Sequence, residues 1–352
     1  MNLLPHPSAA PRLDFIDALR GFAIAIVVLG HALQYTLAAP DDAPLYRLIY
    51  SFHMPLFMFI SGFVYSGAKR SAYEELRLKS RSLLLPFICW LPVTFVWVSL
   101  GPMPVTAQAF VVRVLSAPDA GGLWFLWVLY LINLVVLISR SFAPKSAMAT
   151  AWGLWLILSA LAIVRPDWNL LGLKLLCWHL PFFLVGIAFR KANGAERLRP
   201  TFALACGLLF LTALPLWVRT GSSPLSPYLA SLPSVGAMIA LRAFSYLTAF
   251  LAILATFSLF NSFAHRIRLQ TLSRLGRISL EIYATHIYFL AAAVAILASP
   301  PLPDQARVAL VFITSLAGAL CCTWAIKLNS TLASLMFGSR HAASRRLAQR
   351  EG

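Results

Sequence analysis

Residues 15–37 read FIDALRGFAIAIVVLGHALQYTL, a long apolar stretch that contains Asp17, Arg20 and His31. A stretch of this length predicts a membrane-spanning helix. Ionisable side chains inside such a helix are costly, so their presence indicates function. Arg20 and His31 are eleven residues apart, which places them on one helix face about 16 Å from each other along the axis. They share a face, but a straight helix keeps them from direct contact.

The composition indicates that the whole chain is a membrane protein. Of its 352 residues, 60% are hydrophobic and 12% are charged. A soluble domain needs more polar surface than this. We therefore predict an all-α polytopic membrane protein with ten spanning helices. The predicted spans are residues 15–37, 47–66, 82–100, 123–139, 147–164, 174–190, 202–219, 236–260, 279–298 and 306–326.

The basic residues predict how the chain lies in the membrane. Most of the 29 Lys and Arg residues fall in connections on the side of the N-terminus. By the positive-inside rule, both termini are then cytoplasmic, in a multi-pass protein of the inner membrane. A net charge of +17 is also typical of nucleic-acid binding, but here the charge is spread over loops, so we predict no nucleic acid partner. The first apolar stretch is too long for a cleaved signal, so we expect it to be retained.

No hydrophilic stretch is long enough for a second soluble domain. We predict one membrane domain over residues 1–337 and a basic cytoplasmic tail over residues 338–352. The five cysteines lie in or near apolar stretches and lack the spacing of metal ligands, so we predict neither disulfides nor a metal site. We also expect no permanently bound cofactor.

Four aromatic or imidazole side chains are expected in one layer near the outer surface. His31 lies about 24 Å from the inner edge of a core about 30 Å thick, and His53 enters the next span from outside by about 9 Å. Trp124 and His179 fall at a similar depth. A neutral imidazole there suits a general base, and His31 is the best candidate. The alternative is a histidine that bonds to a neighbouring helix, and a structural role is the simpler interpretation for Trp124 and His179.

A second polar layer is expected at the inner edge. Asp17 and Arg20 lie there with Glu281, and His286 lies about one turn deeper than Glu281. Asp17 and Arg20 are also spaced for an ordinary i, i+3 ion pair. Glu281 follows Ser279 in the first turn of a span, so stabilisation of the helix dipole alone could explain it.

A basic run precedes the third predicted span. Arg77, Lys79 and Arg81 could bind an anionic ligand or an anionic lipid. Arg242 is ambiguous, because it lies either in the membrane or in a surface segment before the eighth span.

Local sequences along the whole chain resemble motifs of the acyltransferase-3 family of integral membrane O-acyltransferases. Arg20 and His31 resemble its Arg-x10-His motif, and residues 51–62 (SFHMPLFMFISG) resemble its second-helix motif. The other similar segments are residues 77–86 (RLKSRSLLLP), 123–126 (LWFL) and 276–286 (GRISLEIYATH).

This resemblance implies a ten-helix enzyme that moves an acyl group, usually acetyl, from cytoplasmic acyl-CoA to a hydroxyl of an extracytoplasmic or lipid-linked glycan. Acetyl-CoA is then the co-substrate, and the glycan and the lipid bilayer are the other partners. His31 takes the role of the catalytic histidine, and Arg20 that of its essential partner in the same helix.

Combined with the two polar layers, the resemblance assigns each candidate site residue to the donor side or to the acceptor side. The candidate catalytic residues are His31, Arg20 and Asp17, and Arg20 with Asp17 belongs to the donor side, where it holds a coenzyme A phosphate or fixes the inner half of a tunnel. The basic run matches the phosphorylated end of the donor, because cations bind phosphates well. The candidate donor-binding residues are Arg77, Lys79, Arg81, Glu281 and His286. The candidate acceptor-binding residues are His53 and Trp124.

Other mechanisms and functions remain open from the sequence. His31 could act as a general base in direct transfer or carry the acyl group itself. The rival function is a transporter or flippase for a glycan or an anionic small molecule, in which the polar layers line a permeation path. The lack of an internal repeat disfavours it. A third interpretation is that the protein is a structural partner in polysaccharide assembly.

Overall fold

The computed structural model describes residues 14–66, 70–101, 105–116, 123–220, 223–263, 269–298 and 301–338. No strand occurs in these ranges. The helices are α1 (Asp14–Thr36), α2 (Pro44–Tyr50), α3 (His53–Phe63), α4 (Ala72–Lys79), α5 (Leu85–Ser99), α6 (Ala107–Ser116), α7 (Trp124–Phe142), α8 (Ala147–Val164), α9 (Leu173–Lys191), α10 (Gly194–Arg197), α11 (Pro200–Ala213), α12 (Ser234–Phe263), α13 (Gln270–Arg277), α14 (Ser279–Ile296), α15 (Asp304–Lys327) and α16 (Ser330–Phe337).

Eight helical segments of the described chain are long and apolar enough to cross a membrane. They correspond to eight of the ten predicted spans, and the prediction of an all-α polytopic membrane protein is confirmed. The predicted spans at 47–66 and 202–219 hold shorter helices. In the first, α3 follows α2, and in the second, α11 ends in a 3₁₀ turn at Leu214–Leu216. Of the tail predicted over 338–352, residues 339–352 lie outside the described ranges.

The second predicted span is broken into two helices, so the prediction of one continuous helix over 47–66 is wrong. The break falls at Ser51 and Phe52, and Phe52 has non-helical backbone angles (φ −146°, ψ −10°). Pro55 explains it. Proline has no N–H to donate to the carbonyl four residues earlier, and its ring clashes with that carbonyl, here that of Ser51. The break places His53 at the start of α3.

The third predicted span begins ten residues earlier than expected. Ser71 and Glu74 form a capping box, in which the Glu74 N–H donates to the Ser71 hydroxyl at 3.2 Å and the Ser71 N–H donates to the Glu74 carboxylate at 3.0 Å. The helix that starts there runs through α4 and a π-helical turn at Ser80–Leu84 into α5. The predicted basic run therefore lies on a helix and not in the loop before it.

Helix α1 lies inside the bundle and crosses α13 at a pair of glycines. A Cβ atom on Gly21 would lie 1.8 Å from the Leu272 carbonyl oxygen, and one on Gly276 would lie 1.7 Å from the Asp17 carbonyl oxygen. Only residues without a side chain allow two helix backbones to approach this closely. The two glycines thus fix the depth at which α13, and α14 after it, meet α1.

A second glycine pair holds α3 against α9. A Cβ atom on Gly62 would lie 2.0 Å from the Phe183 carbonyl oxygen, and one on Gly186 would lie 2.2 Å from that of Phe59. This contact sets the position of the two histidines that α3 and α9 carry, His53 and His179.

The outward-facing side chains of the bundle are apolar. On α8, Leu156 and Ile157 are 59% and 66% exposed, and Trp324 of α15 is 68% exposed. A soluble protein rarely exposes apolar side chains over so wide a surface, whereas hydrocarbon surrounds them readily. The surface is therefore that of a protein embedded in lipid.

Candidate active site

A large cavity opens at the end of the bundle where α1 carries His31. It has a volume of about 1060 Å³, and four histidines line it: His31 of α1, His53 of α3, His179 of α9 and His286 of α14. We call it the histidine cavity. Its volume lies at the upper end of the range for small-molecule sites, which is roughly 300–1,000 Å³.

His31 and His286 are hydrogen-bonded to each other inside this cavity. The His31 Nδ1 and His286 Nε2 atoms are 2.9 Å apart, and the two rings are nearly parallel, with 6° between their planes. His286 is 1% exposed, whereas His31 is partly exposed and borders the cavity. His286 is thus the more buried member of the pair.

The surrounding carbonyl groups determine which nitrogen of each ring carries hydrogen. The His286 Nδ1 atom lies 2.9 Å from the carbonyl oxygens of both Ile282 and Tyr283. Because a carbonyl oxygen only accepts, this nitrogen carries the hydrogen and Nε2 of neutral His286 is an acceptor. His31 therefore donates through Nδ1–H, which leaves its Nε2 unprotonated. That nitrogen is the proton acceptor of the pair.

The position of His286 differs from the layer expected for it. We placed it at the inner edge near Glu281, yet it contacts His31. The crossing of Gly21 and Gly276 gives the reason. Because α14 starts directly after α13, the crossing fixes where α14 begins beside α1, and His286 lies about two turns into α14. Glu281 does not line the histidine cavity. It pairs with Lys327 of α15, with 2.6 Å between carboxylate oxygen and Nζ.

The other two histidines of the cavity bond only to their own helices or connections. His53 Nδ1 donates to the Ile49 carbonyl oxygen at 2.8 Å, and His179 Nδ1 donates to that of Leu175 at 2.8 Å. The Trp124 ring, which also lines the cavity, lies 5.0 Å from the His179 ring. The structure thus brings the predicted acceptor-binding residues His53 and Trp124 into the same cavity as His31.

Three arginines line this cavity, and none of them is among the predicted site residues. Arg113 lies in α6, Arg219 follows the 3₁₀ turn after α11, and Arg242 lies in the third turn of α12, which begins before it at Ser234. No motif in the sequence connects any of the three to His31. Their positions depend on packing between distant parts of the chain.

A smaller cavity of about 250 Å³ lies at the end of the bundle where α1 carries Arg20. We call it the arginine cavity. Asp17, Arg20 and Arg277 line it, together with Ser61 and Ser279. Asp17 and Arg20 form the ion pair that their spacing allows, at 3.7 Å. Arg277, which we did not single out from the sequence, adds a second guanidinium group.

The two cavities share a wall. Met54 and Tyr283 line both of them. The Tyr283 hydroxyl accepts the Phe125 backbone N–H at 3.1 Å, and the Phe125 ring packs 5.3 Å from the Tyr283 ring. We call Met54 and Tyr283 the partition. It separates the cavity with the histidine pair from the cavity with the arginines.

The predicted basic run divides in the structure. Lys79 and Arg81 line a pocket of about 290 Å³ with Arg70 and Glu75, whereas Arg77 is exposed and does not line it. Glu75 is 2% exposed and lies 3.7 Å from Arg70 and 3.8 Å from Lys79. The positive charge of Arg20 also acts on Lys79, so this basic pocket and the arginine cavity are neighbours.

A family model described as an acyltransferase domain, that of the acyltransferase-3 family, matches residues 13–327. With the bundle of apolar helices, this match places the chain in the class of polytopic membrane proteins that carry an acyltransferase domain. The chain belongs to the acyltransferase-3 family, and the resemblance drawn from its motifs is confirmed.

Two curated relatives are both named nodulation protein NolL. The one from Mesorhizobium japonicum is 30% identical over 185 residues, which cover 51% of this chain and 48% of the relative. The one from Sinorhizobium fredii is 29% identical over 215 residues, which cover 58% of this chain and 57% of the relative. The chain thus spans about half the length of the curated relatives it matches. No solved structure matches the chain significantly.

Proposed function

We propose that the protein is an O-acyltransferase that moves an acetyl or other short acyl group from acyl-CoA to a hydroxyl of a glycan. The observation that carries the proposal is the bond between His31 and His286, because it leaves a proton-accepting nitrogen at the border of a substrate-sized cavity. The family supports acyl transfer, and the donor and the acceptor are our assignment.

The donor is assigned to the end of the bundle with the arginine cavity. Arg20 and Arg277 line that cavity, and Lys79 and Arg81 line the neighbouring basic pocket. Coenzyme A carries several phosphate charges, which guanidinium and ammonium groups bind well. The positive-inside distribution supports a cytoplasmic position for this end, on the side where acyl-CoA is made, and we propose an inner-membrane location on that basis.

The reaction takes place at the partition. His31 Nε2 removes the proton of the acceptor hydroxyl while the hydroxyl oxygen attacks the thioester carbonyl carbon. The carbon–sulfur bond then breaks, the acyl group stays on the acceptor oxygen, and the coenzyme A sulfur takes the proton from His31. His286 holds the His31 ring in the tautomer that accepts the first proton.

Tyr283 is assigned to stabilise the intermediate. Its hydroxyl oxygen already accepts from the Phe125 N–H, so its own hydrogen is able to point to a negatively charged oxygen. Tyr283 lines both cavities, where the thioester carbonyl must lie for a hydroxyl to reach it. A fixed donor at that position stabilises the developing charge.

The test uses the purified protein in lipid nanodiscs with ¹⁴C-acetyl-CoA and glycan extracted from the source membrane. We expect the wild type to form an alkali-labile labelled ester and His31→Ala to lower its rate by about 10²–10⁴-fold. Because His31 lies at the other end of the bundle from the proposed coenzyme A site, His31→Ala should keep the affinity for coenzyme A.

Four other outcomes would contradict the proposal or its mechanism. Labelling that is unchanged in His31→Ala would remove the catalytic role of His31. In a parallel assay with the protein in sealed vesicles, label that crosses the membrane without a covalent ester would favour a transporter. Absence of both would favour a structural role. Label found on the protein itself when the acceptor is omitted would replace direct transfer by an acyl-histidine relay.

A further inference from the structure

The histidine cavity carries a positive charge that no lining residue balances. Arg113, Arg219 and Arg242 line it, and the described lining includes neither Asp, Glu nor Lys. From this charge we infer that the acceptor is an anionic saccharide, one with a phosphate, sulfate or carboxylate group close to the hydroxyl that is acylated. The inference rests on the proposed function, since it concerns the acceptor side of the same site.

Arg219 is held in place by aromatic side chains. Its guanidinium group lies 4.5 Å from the centre of the Tyr50 ring and donates to the Tyr46 hydroxyl at 2.9 Å. The Asp41 carboxylate accepts the Arg219 backbone N–H at 3.0 Å and the Thr220 hydroxyl. The side chain of Arg219 is thereby oriented, while several of its five N–H donors remain for a ligand.

Arg242 is held in a similar way from another helix. Its guanidinium group lies 5.0 Å from the centre of the Trp178 ring. Within the described part of the chain, no carboxylate lies within salt-bridge distance of it. A guanidinium stacked on an aromatic ring keeps its edge available, and that edge matches the oxygens of a carboxylate or phosphate.

The positions and charges of these arginines together favour an anionic acceptor. Several cations in a cleft with apolar walls attract an anion strongly, because the low dielectric constant of the walls weakens screening by water. Tyr50 connects these cations to the reaction, since its ring lies 4.5 Å from Arg219, 4.7 Å from His53 and 6.4 Å from His31. An anion bound at Arg219 therefore places a neighbouring sugar hydroxyl near His31.

The coenzyme A phosphates are the other possible source of negative charge. The donor already has a positively charged region of its own at the opposite end, formed by Arg20, Arg277 and the basic pocket. We therefore assign Arg219 and Arg242 to the acceptor.

The experiment measures binding without a donor, by the fluorescence of the tryptophans that line the cavity. The probes are N-acetylglucosamine 1-phosphate and glucuronate, each compared with its neutral counterpart, N-acetylglucosamine or glucose. We expect at least one anionic probe to bind about tenfold more tightly than its counterpart at low salt. Arg219→Gln and Arg242→Gln should each reduce that preference severalfold.

The matched control is Arg165→Gln, which removes an arginine stacked on Trp168 at 4.3 Å that does not line the cavity. It should keep the preference. Equal binding of charged and neutral probes, no binding of either, or the same loss in all three variants would overturn the inference. So would a loss of acetyl-CoA affinity in Arg242→Gln, which would assign the cations to the donor. Since these assays need no turnover, they fail or succeed independently of the transfer assay with His31→Ala.

Discussion

At the residue scale, the direction of one hydrogen bond decides what His31 can do. The backbone carbonyls of Ile282 and Tyr283 fix the tautomer of His286, and His286 in turn fixes that of His31. In a neutral imidazole, the nitrogen that donates determines which nitrogen accepts. His286 is thus a positioning residue for His31, although it need not touch either substrate.

Substitution of His286 tests this role. We expect His286→Leu to lower kcat by about 10²-fold or more, because it removes the acceptor for the His31 Nδ1–H. His286→Gln supplies an amide oxygen that can accept the same bond, so it should recover at least tenfold of the loss. Steady-state kinetics with acetyl-CoA should show an unchanged KM for the donor. Equal activity of the Leu and Gln variants would reduce His286 to a packing residue.

Sequence reasoning found one member of this pair and misplaced the other. Arg20 and His31 stand out because they interrupt an apolar stretch, which is a local signal. His286 was assigned to the inner layer because depth was counted from the start of its own helix. The height at which α14 begins depends on the contact with α1, and no local pattern reports that contact.

At the element scale, the crossing of α1 and α13 sets the height of α14. The backbones approach so closely at Gly21 and Gly276 that neither position has space for a methyl group. Both glycines lie inside the motifs quoted from the sequence, next to polar residues that draw more attention. Their role in the fold is to bring the two histidines to one level.

Gly276→Ala should disturb this level. An added methyl group forces the helices apart, so we expect a loss of about 1–3 kcal/mol in the free energy of unfolding and a lower kcat. The control is Gly153→Ala in α8, where no atom lies within 4 Å of the added Cβ. It should be neutral or stabilising by up to about 1 kcal/mol. Thermal unfolding in nanodiscs gives the comparison, and similar melting temperatures for both variants would contradict the close crossing.

Some differences between predicted and observed elements had local signals. Pro55 marks the break between α2 and α3, and Ser71 with Glu74 marks the early start of α4. Spans predicted from hydrophobicity alone include neither signal. The short helix α6 in the connection between α5 and α7 is amphipathic, and its position was not anticipated.

At the scale of the whole molecule, two cavities reach toward each other from opposite ends of the bundle. The apolar composition predicts the bundle. The spacing of Arg20 and His31 predicts that α1 carries one ionisable side chain toward each end of the bundle. The partition between the cavities was beyond sequence reasoning, because it is built from α3 and α14, which are far apart in the chain.

The partition should select the length of the acyl group. Replacing Met54 by Ala removes side-chain volume from the partition and leaves more space for the acyl chain. We therefore expect the ratio of kcat/KM for butyryl-CoA to that for acetyl-CoA to rise about tenfold. Met58→Ala, one turn further along α3 at a fully buried position that lines neither cavity, is the control. It should cost about 2–5 kcal/mol of stability and leave the ratio unchanged. An identical ratio in Met54→Ala and the wild type would show that chain length is selected elsewhere.

The partition also has a consequence for the cell's supply of carrier molecules. In the proposed reaction, the acyl group passes only the width of the wall formed by Met54 and Tyr283, while coenzyme A stays in the compartment it came from. The spent carrier is then recharged where it is released, and no dedicated exporter of activated acyl groups is needed. The bilayer remains closed to everything larger than the transferred group.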